Sequence, residues 1–161
     1  MMRSVLFLFS IFLSINTVAA EVSDRVLELS CGSYLKKDDL LSRYYSDMRD
    51  GHAVDMRKNV FTLNALIDGT DLTNARVTPS VEQFTNKFVK NLHHAGFIEK
   101  ETCRLSESKF PNNIAVVTSR YMNFFQDKPN DITYGVKVVV INTKLRKIIM
   151  MNWRDQGRFH L

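Results

Sequence analysis

Two periods of apolar residues divide the chain near His94. Before that point most apolar residues recur every three or four positions. In "KKDDLLSRYYSDMRDG", Leu40, Leu41, Tyr44 and Met48 follow helical spacing. Asp38 and Asp39 suit the positive N-terminal end of such a helix, and Gly51 suits the left-handed position just past its C-terminus. "HAVDMRKN" predicts a short second helix. "VFTLNALIDGTD" departs from the helical period: Phe61, Leu63 and Ala65 alternate, and Asp68-Gly69 breaks the run, which predicts a strand ending in a turn. "TPSVEQFTNKFVKNLHHAG" carries the longest helical stripe, Val81, Phe84, Phe88, Leu92 and Ala95. Thr78 is placed to cap it, Pro79 falls in the first turn, and Gly96 ends it.

After His94 the period is two. "FIEKETCRLSES", "NNIAVVTSRYMNFF", "ITYGVKVVVIN" and "KLRKIIMMNW" read as four successive strands. Pro111-Asn112-Asn113, Lys128-Pro129-Asn130 and Asn142 to Leu145 supply turn chemistry between them, and "GRFHL" reads as a frayed tail. Helices first and a meander afterwards predict an α+β domain, with the helices covering the concave face of a curved antiparallel sheet. On the third strand Tyr134, Val136, Val138 and Val140 share one face, and Gly135, Lys137, Val139 and Ile141 share the other. Apolar residues on both faces imply that the helices cover one, and a partner or second copy, or the tail and loops, the other.

The ends of the chain change the picture more than its composition does. "MMRSVLFLFSIFLSINTVAA" joins a basic residue, Arg3, to an apolar run and to small residues at Val18 and Ala20. That is the pattern of a signal peptide over residues 1–20, and the apolar run is shorter than the ~20 residues of a spanning helix. A cleaved chain, residues 21–161, would be one domain with a core over about 34–153, secreted or periplasmic, and without stable membrane insertion. Cys31 and Cys103 are the only two cysteines, and in an oxidising compartment they are expected to form a disulfide. The formal net charge is +5, but positive and negative residues interleave. No basic stripe with stacking aromatics marks a nucleic-acid surface.

The order of elements, with "SRYYSDMRDG", "NALIDG", "TPSVEQF" and a closing "KIIMMNW", resembles the nuclear transport factor 2-like superfamily, which includes the SnoaL-like cyclases and the ketosteroid isomerases. The resemblance implies a cone of curved sheet wrapped over helices, often dimeric, with a pocket at its open end. In the isomerases an Arg-Tyr pair shortly before a glycine supplies an oxyanion donor, and an aspartate at the end of the first strand is the base. Arg43-Tyr44 before Gly51 and Asp68 in "LIDG" match those positions, which makes Asp68 and Tyr44 the implied catalytic pair. The second oxyanion acid of the isomerases is replaced by Lys137. A lysine there would pair with Asp68 and lower its pKa, the wrong direction for a base.

Tyr44, Asp68, Lys137 and His94 are therefore the pocket candidates. His93 and His94 lie about 100° apart on a helix and cannot chelate one ion together. They suit the negative end of their own helix. There is no phosphate loop, nucleophile elbow or zinc-spaced cysteine cluster, so no metal and no cofactor are expected. Three readings follow. The first is an exported, non-catalytic domain that binds a small apolar ligand or a protein partner, with a homodimer through the exposed sheet face. The second is an isomerase, cyclase or dehydratase using Asp68 and Tyr44. The third is an envelope or secretion-system assembly component, which would need a retained N-terminal anchor.

Overall fold

A computed structural model of the chain describes residues 39–160. The signal peptide expected over residues 1–20, Cys31, Asp38 and the start of the expected core at residue 34 lie outside the described residues.

Helix α1 spans Leu40–Asp50 and is closed at both ends by its own sequence. The Asp39 carboxylate accepts the Ser42 amide at 2.8 Å, and Gly51 at φ 71° turns its N–H back to the Asp47 carbonyl. Leu41, Tyr44, Tyr45 and Met48 form its buried face. Helix α2, Ala53–Asn59, follows directly and buries Met56 completely. The third helix starts later than expected. Ser80, not Thr78, caps α3 (Val81–Phe84), because Ser80 and Gln83 exchange side-chain and backbone hydrogen bonds in a capping box that satisfies two amides.

The chain then widens into a π-helical segment, Thr85–Asn91, before a last α-turn, α4 (Leu92–His94). The wider turn breaks the expected stripe. Val81 and Phe84 are buried as expected, but Val89 takes the next core position. Phe88 and Leu92 lie half-buried, and Ala95 is exposed.

Six strands make one sheet in the order β2-β1-β6-β5-β4-β3. They are β1 (Phe61–Thr70), β2 (Arg76–Val77), β3 (Phe97–Phe110), β4 (Ile114–Phe125), β5 (Lys128–Asn142) and β6 (Lys147–His160). The β3–β4–β5–β6 meander is antiparallel, but β1 runs parallel to β6. The sheet is therefore mixed, not purely antiparallel. Alternation fixes the faces of a strand and leaves its direction against a non-sequential neighbour open.

Three local expectations also change. An irregularity between Phe61 and Leu66 turns Leu63 out to 85% exposure, while Ala65 and Ile67 stay buried. The Lys128-Pro129-Asn130 run belongs to β5, and the turn falls on Gln126-Asp127. The tail is not frayed through His160. Ile132 pairs with Phe159 and Asp131 with His160, so the sheet continues past the expected limit at residue 153.

The inner face of the sheet changes character rung by rung. At one end Ala115, Ile141 and Ile148 lie side by side, followed by Val117, Val139 and Met151. α1 and α2 add Leu41, Met48 and Met56 to the same buried cluster. The next rungs are Ser119–Lys137–Trp153, Tyr121–Gly135–Asp155 and Asn123–Thr133–Arg158. Polar and aromatic side chains here replace aliphatic ones. The π segment closes over them, with Phe88 stacked on Phe84 at 5.3 Å and set edge-on to Trp153 at 6.0 Å.

Candidate functional site

Lys137 stands where the aliphatic core ends. The residue is buried to 1% exposure, and the ammonium is held by three things at once. It donates to Glu99 Oε1 at 2.5 Å and to the Tyr44 hydroxyl at 2.8 Å. Its Nζ also lies 4.4, 5.0 and 4.8 Å from the ring centres of Tyr44, Tyr45 and Tyr121. The Tyr44 hydroxyl in turn donates to Glu99 Oε1 at 3.1 Å. Residues from α1, β3, β4 and β5 thus converge on one buried cation. Burial pushes the Lys137 pKa down, against the pull of the Glu99 carboxylate, and holds the Tyr44 phenol far above its ordinary range. Tyr44 is a neutral donor at any physiological pH.

A second pair lies one rung away. The Tyr121 hydroxyl donates to Asp155 Oδ1 at 2.6 Å. Gly135 makes this possible: a Cβ there would stand 2.5 Å from the Tyr121 oxygen. Burial raises the Asp155 pKa, and repulsion from Glu99 adds to it, while the Tyr121 bond works in the opposite direction. Gly69 has a similar task on β1. Its missing side chain lets the Trp153 indole lie against the backbone, where a Cβ would come within 1.9 Å of the ring.

Tyr44, Glu99, Tyr121, Lys137, Trp153 and Asp155 line a cavity of about 460 Å³. Phe84, Phe88, Phe97, Phe125 and Trp153 supply its apolar walls, and Leu72 and Asp71 of the β1–β2 loop reach its edge. Of the four residues expected in a pocket, Tyr44 and Lys137 line it and Asp68 and His94 do not. Asp68 is held elsewhere, by a two-pronged bond from Arg76 at 2.9 and 3.1 Å and by Asn152 at 3.2 Å. Those bonds, with Arg76 foremost, hold its carboxyl below the usual range. The Asp68–Tyr44 pair is therefore not assembled, and Lys137 pairs with Glu99 instead of Asp68.

His93 acts on a different helix from the one expected. His93 Nδ1 donates to the Arg49 carbonyl at 2.9 Å, capping the C-terminus of α1 and not that of its own helix. Its ring packs against Gly51. His94 is exposed. Among the described residues no cluster of three or more His, Cys, Asp or Glu side chains could hold a metal ion.

Glu99, Tyr121 and Asp155 escaped the sequence. The available signal was phase: Phe97, Glu99 and Glu101 share one side of β3, opposite Ile98, so burying Phe97 carries Glu99 inward. Cys103 on β3 is buried to 2% exposure.

No known family model matches this chain, and no curated protein does. Solved structures do match in shape. A candidate scytalone dehydratase from Novosphingobium aromaticivorans DSM 12444 superposes with a TM-score of 0.58 at 12% identity, covering 90% of this chain and 91% of that one. A nuclear transport factor 2-like protein of unknown function from Shewanella oneidensis MR-1 gives 0.55 at 14% identity, covering 72% and 93%. A protein of unknown function with a cystatin-like fold from Methylobium petroleophilum PM1 gives 0.55 at 10%, covering 73% and 74%. Identities this low bear on the fold alone.

Proposed function

The chain has the nuclear transport factor 2-like, cystatin-like α+β fold, and from it we propose that the protein binds a small, largely apolar molecule between the π segment and the sheet. One observation carries the reading: a 460 Å³ cavity whose walls are aromatic and whose polar groups converge from five elements. That volume and that mixture are typical of small-molecule sites. The proposed role is binding without chemistry. Lys137, Tyr44 and Glu99 are bonded to one another, and Asp68 is tied outside the cavity.

Trp153 is the single tryptophan and lines the cavity, so it reports occupancy directly. Titration with the neutral dye N-phenyl-1-naphthylamine should give saturable emission sensitised through Trp153. Asn123→Phe, which fills the cavity, should abolish it. Absence of sensitised emission in the unaltered protein would reject the reading.

A dehydratase or isomerase activity is the second reading, favoured by Tyr44 facing the cavity and by the shape shared with a candidate scytalone dehydratase. Glu99 and Asp155, not Asp68, are then the carboxylates in reach of the reacting atoms, and Glu99 is the one bonded to Tyr44. Turnover of a bound ligand, lost in Glu99→Gln, would separate it from simple binding.

The proposal also includes an exported location and a Cys31–Cys103 disulfide, supported by the N-terminal pattern and by the burial of Cys103. Intact mass and N-terminal sequencing of the protein from its own host test both. An uncleaved N-terminus would favour the envelope-component reading instead. A homodimer through the convex face is supported by Leu66, Tyr134 and Met150, which stand exposed there, and sedimentation velocity tests it.

A further inference from the structure

Building on the binding reading, we infer that the cavity selects aromatic molecules carrying a neutral hydrogen-bond donor, a hydroxyl above all, and rejects carboxylates. A count of bonds made and bonds left open leads there.

The strong donors at the inner end are spent. Lys137 gives two N–H groups to Glu99 and Tyr44, and three tyrosine rings enclose the rest of the ammonium. The Tyr44 and Tyr121 hydroxyl hydrogens go to Glu99 and Asp155. The acceptors are not spent. Both Lys137 and Tyr44 bond to Oε1 of Glu99, and among the described residues no donor reaches Oε2. Tyr121 bonds Oδ1 of Asp155, and Oδ2 has no donor there either. Neither oxygen is among the sealed, unpartnered atoms of the fold. Each belongs to a residue that lines the cavity. A ligand that displaces water from these oxygens leaves them without a donor unless it brings one, so a group that supplies a donor gains more than one that adds a third anion.

Charge points the same way. One ammonium faces two carboxylates at this end. The other cations of the lining are exposed at its rim: Arg158 Nε lies 3.4 Å from Asp131 and 3.5 Å from the Thr133 hydroxyl, and Lys87 sits over the Phe88 ring at 5.5 Å. A ligand carboxylate would find no open buried cation. A ligand ammonium would have to share Glu99 with Lys137.

The test holds the aromatic body fixed and changes only its polar group. Calorimetric titration of the whole protein uses 2-naphthalenemethanol, 2-methylnaphthalene, 2-naphthoate and 2-naphthylmethylammonium at pH 7. The alcohol should bind at least tenfold more tightly than the methyl compound, and the carboxylate at least tenfold more weakly than the alcohol. Asp155→Asn puts an amide N–H where an acceptor stood. It should shrink the alcohol's advantage and strengthen naphthoate binding. Tightest binding by naphthoate or by the ammonium would overturn the inference, and so would equal binding of all four, which leaves the binding reading intact. Binding of none would sink the binding reading and this inference together.

Discussion

The closed and open ends of the hollow share one sheet and differ in what fills it. At the closed end the rung Val117–Val139–Met151 shares one buried cluster with Leu41, Met56 and Phe61, and apolar packing fills the space. Two rungs on, at Tyr121–Gly135–Asp155, a glycine leaves room for the Tyr121 hydroxyl to reach Asp155, and that pair lines the cavity. The helices account for the difference. α1 and α2 carry Met and Leu into the closed end at ordinary helical spacing. Over the open end the π segment sends Val89 into the core and leaves Phe88 lining a cavity. Packing is thus concentrated at one end and the proposed recognition at the other, and Lys137 marks the border.

The largest expected effect falls on that border. Lys137→Ala would leave Glu99 buried without its partner and should cost about 3–5 kcal/mol in urea unfolding. Lys137→Met with Glu99→Leu should recover most of it, because the pair is replaced and not broken. If both variants lose the same amount, the ion pair does not hold the border.

Within the two ends, Met151→Ala should cost about 2–5 kcal/mol. Phe88→Ala, half-buried on the cavity wall, should cost only about 1 kcal/mol while weakening ligand binding. Equal losses would erase the distinction between the ends. Gly69→Ala drives a methyl into the Trp153 ring and should cost about 1–3 kcal/mol, with a shift in tryptophan emission that the Met151 variant does not show.

The smallest effect is one of pH, away from both ends. Burial alone would raise the Asp39 pKa, but bonds from Arg104 and Ser42 outweigh it and hold the carboxyl below 3.8. Its folded pKa is depressed, so its contribution is present above pH 3.8 and lost as pH falls through the folded value. Asp39→Asn keeps the cap and removes the charge. It should cost about 1 kcal/mol at pH 7, with the difference from the unaltered protein fading in acid.

The amphipathic stripes made the helices, the meander and the helix-over-sheet arrangement legible, because each depends on spacing within one segment. Phe84 is buried and Phe88 and Leu92 line the hollow, as that arrangement requires. Three things were not legible. The parallel β1–β6 contact joins strands far apart in sequence. The π segment shifts a phase that period counting takes as constant. The site itself depends on the neighbours of each charged residue across the sheet. Lys137 was visible as a candidate, but its partner Glu99 lies on a strand two places away, and Asp68, nearer by analogy, had already been taken by Arg76.

The central claim, that ligand binding belongs to the open end alone, is tested most directly by amide chemical-shift mapping with 2-naphthalenemethanol. Shifts should concentrate at Phe88, Tyr121, Thr133, Trp153 and Asp155 and leave Val117, Val139 and Met151 unmoved. Shifts confined to the convex face, or spread evenly over both ends, would contradict it.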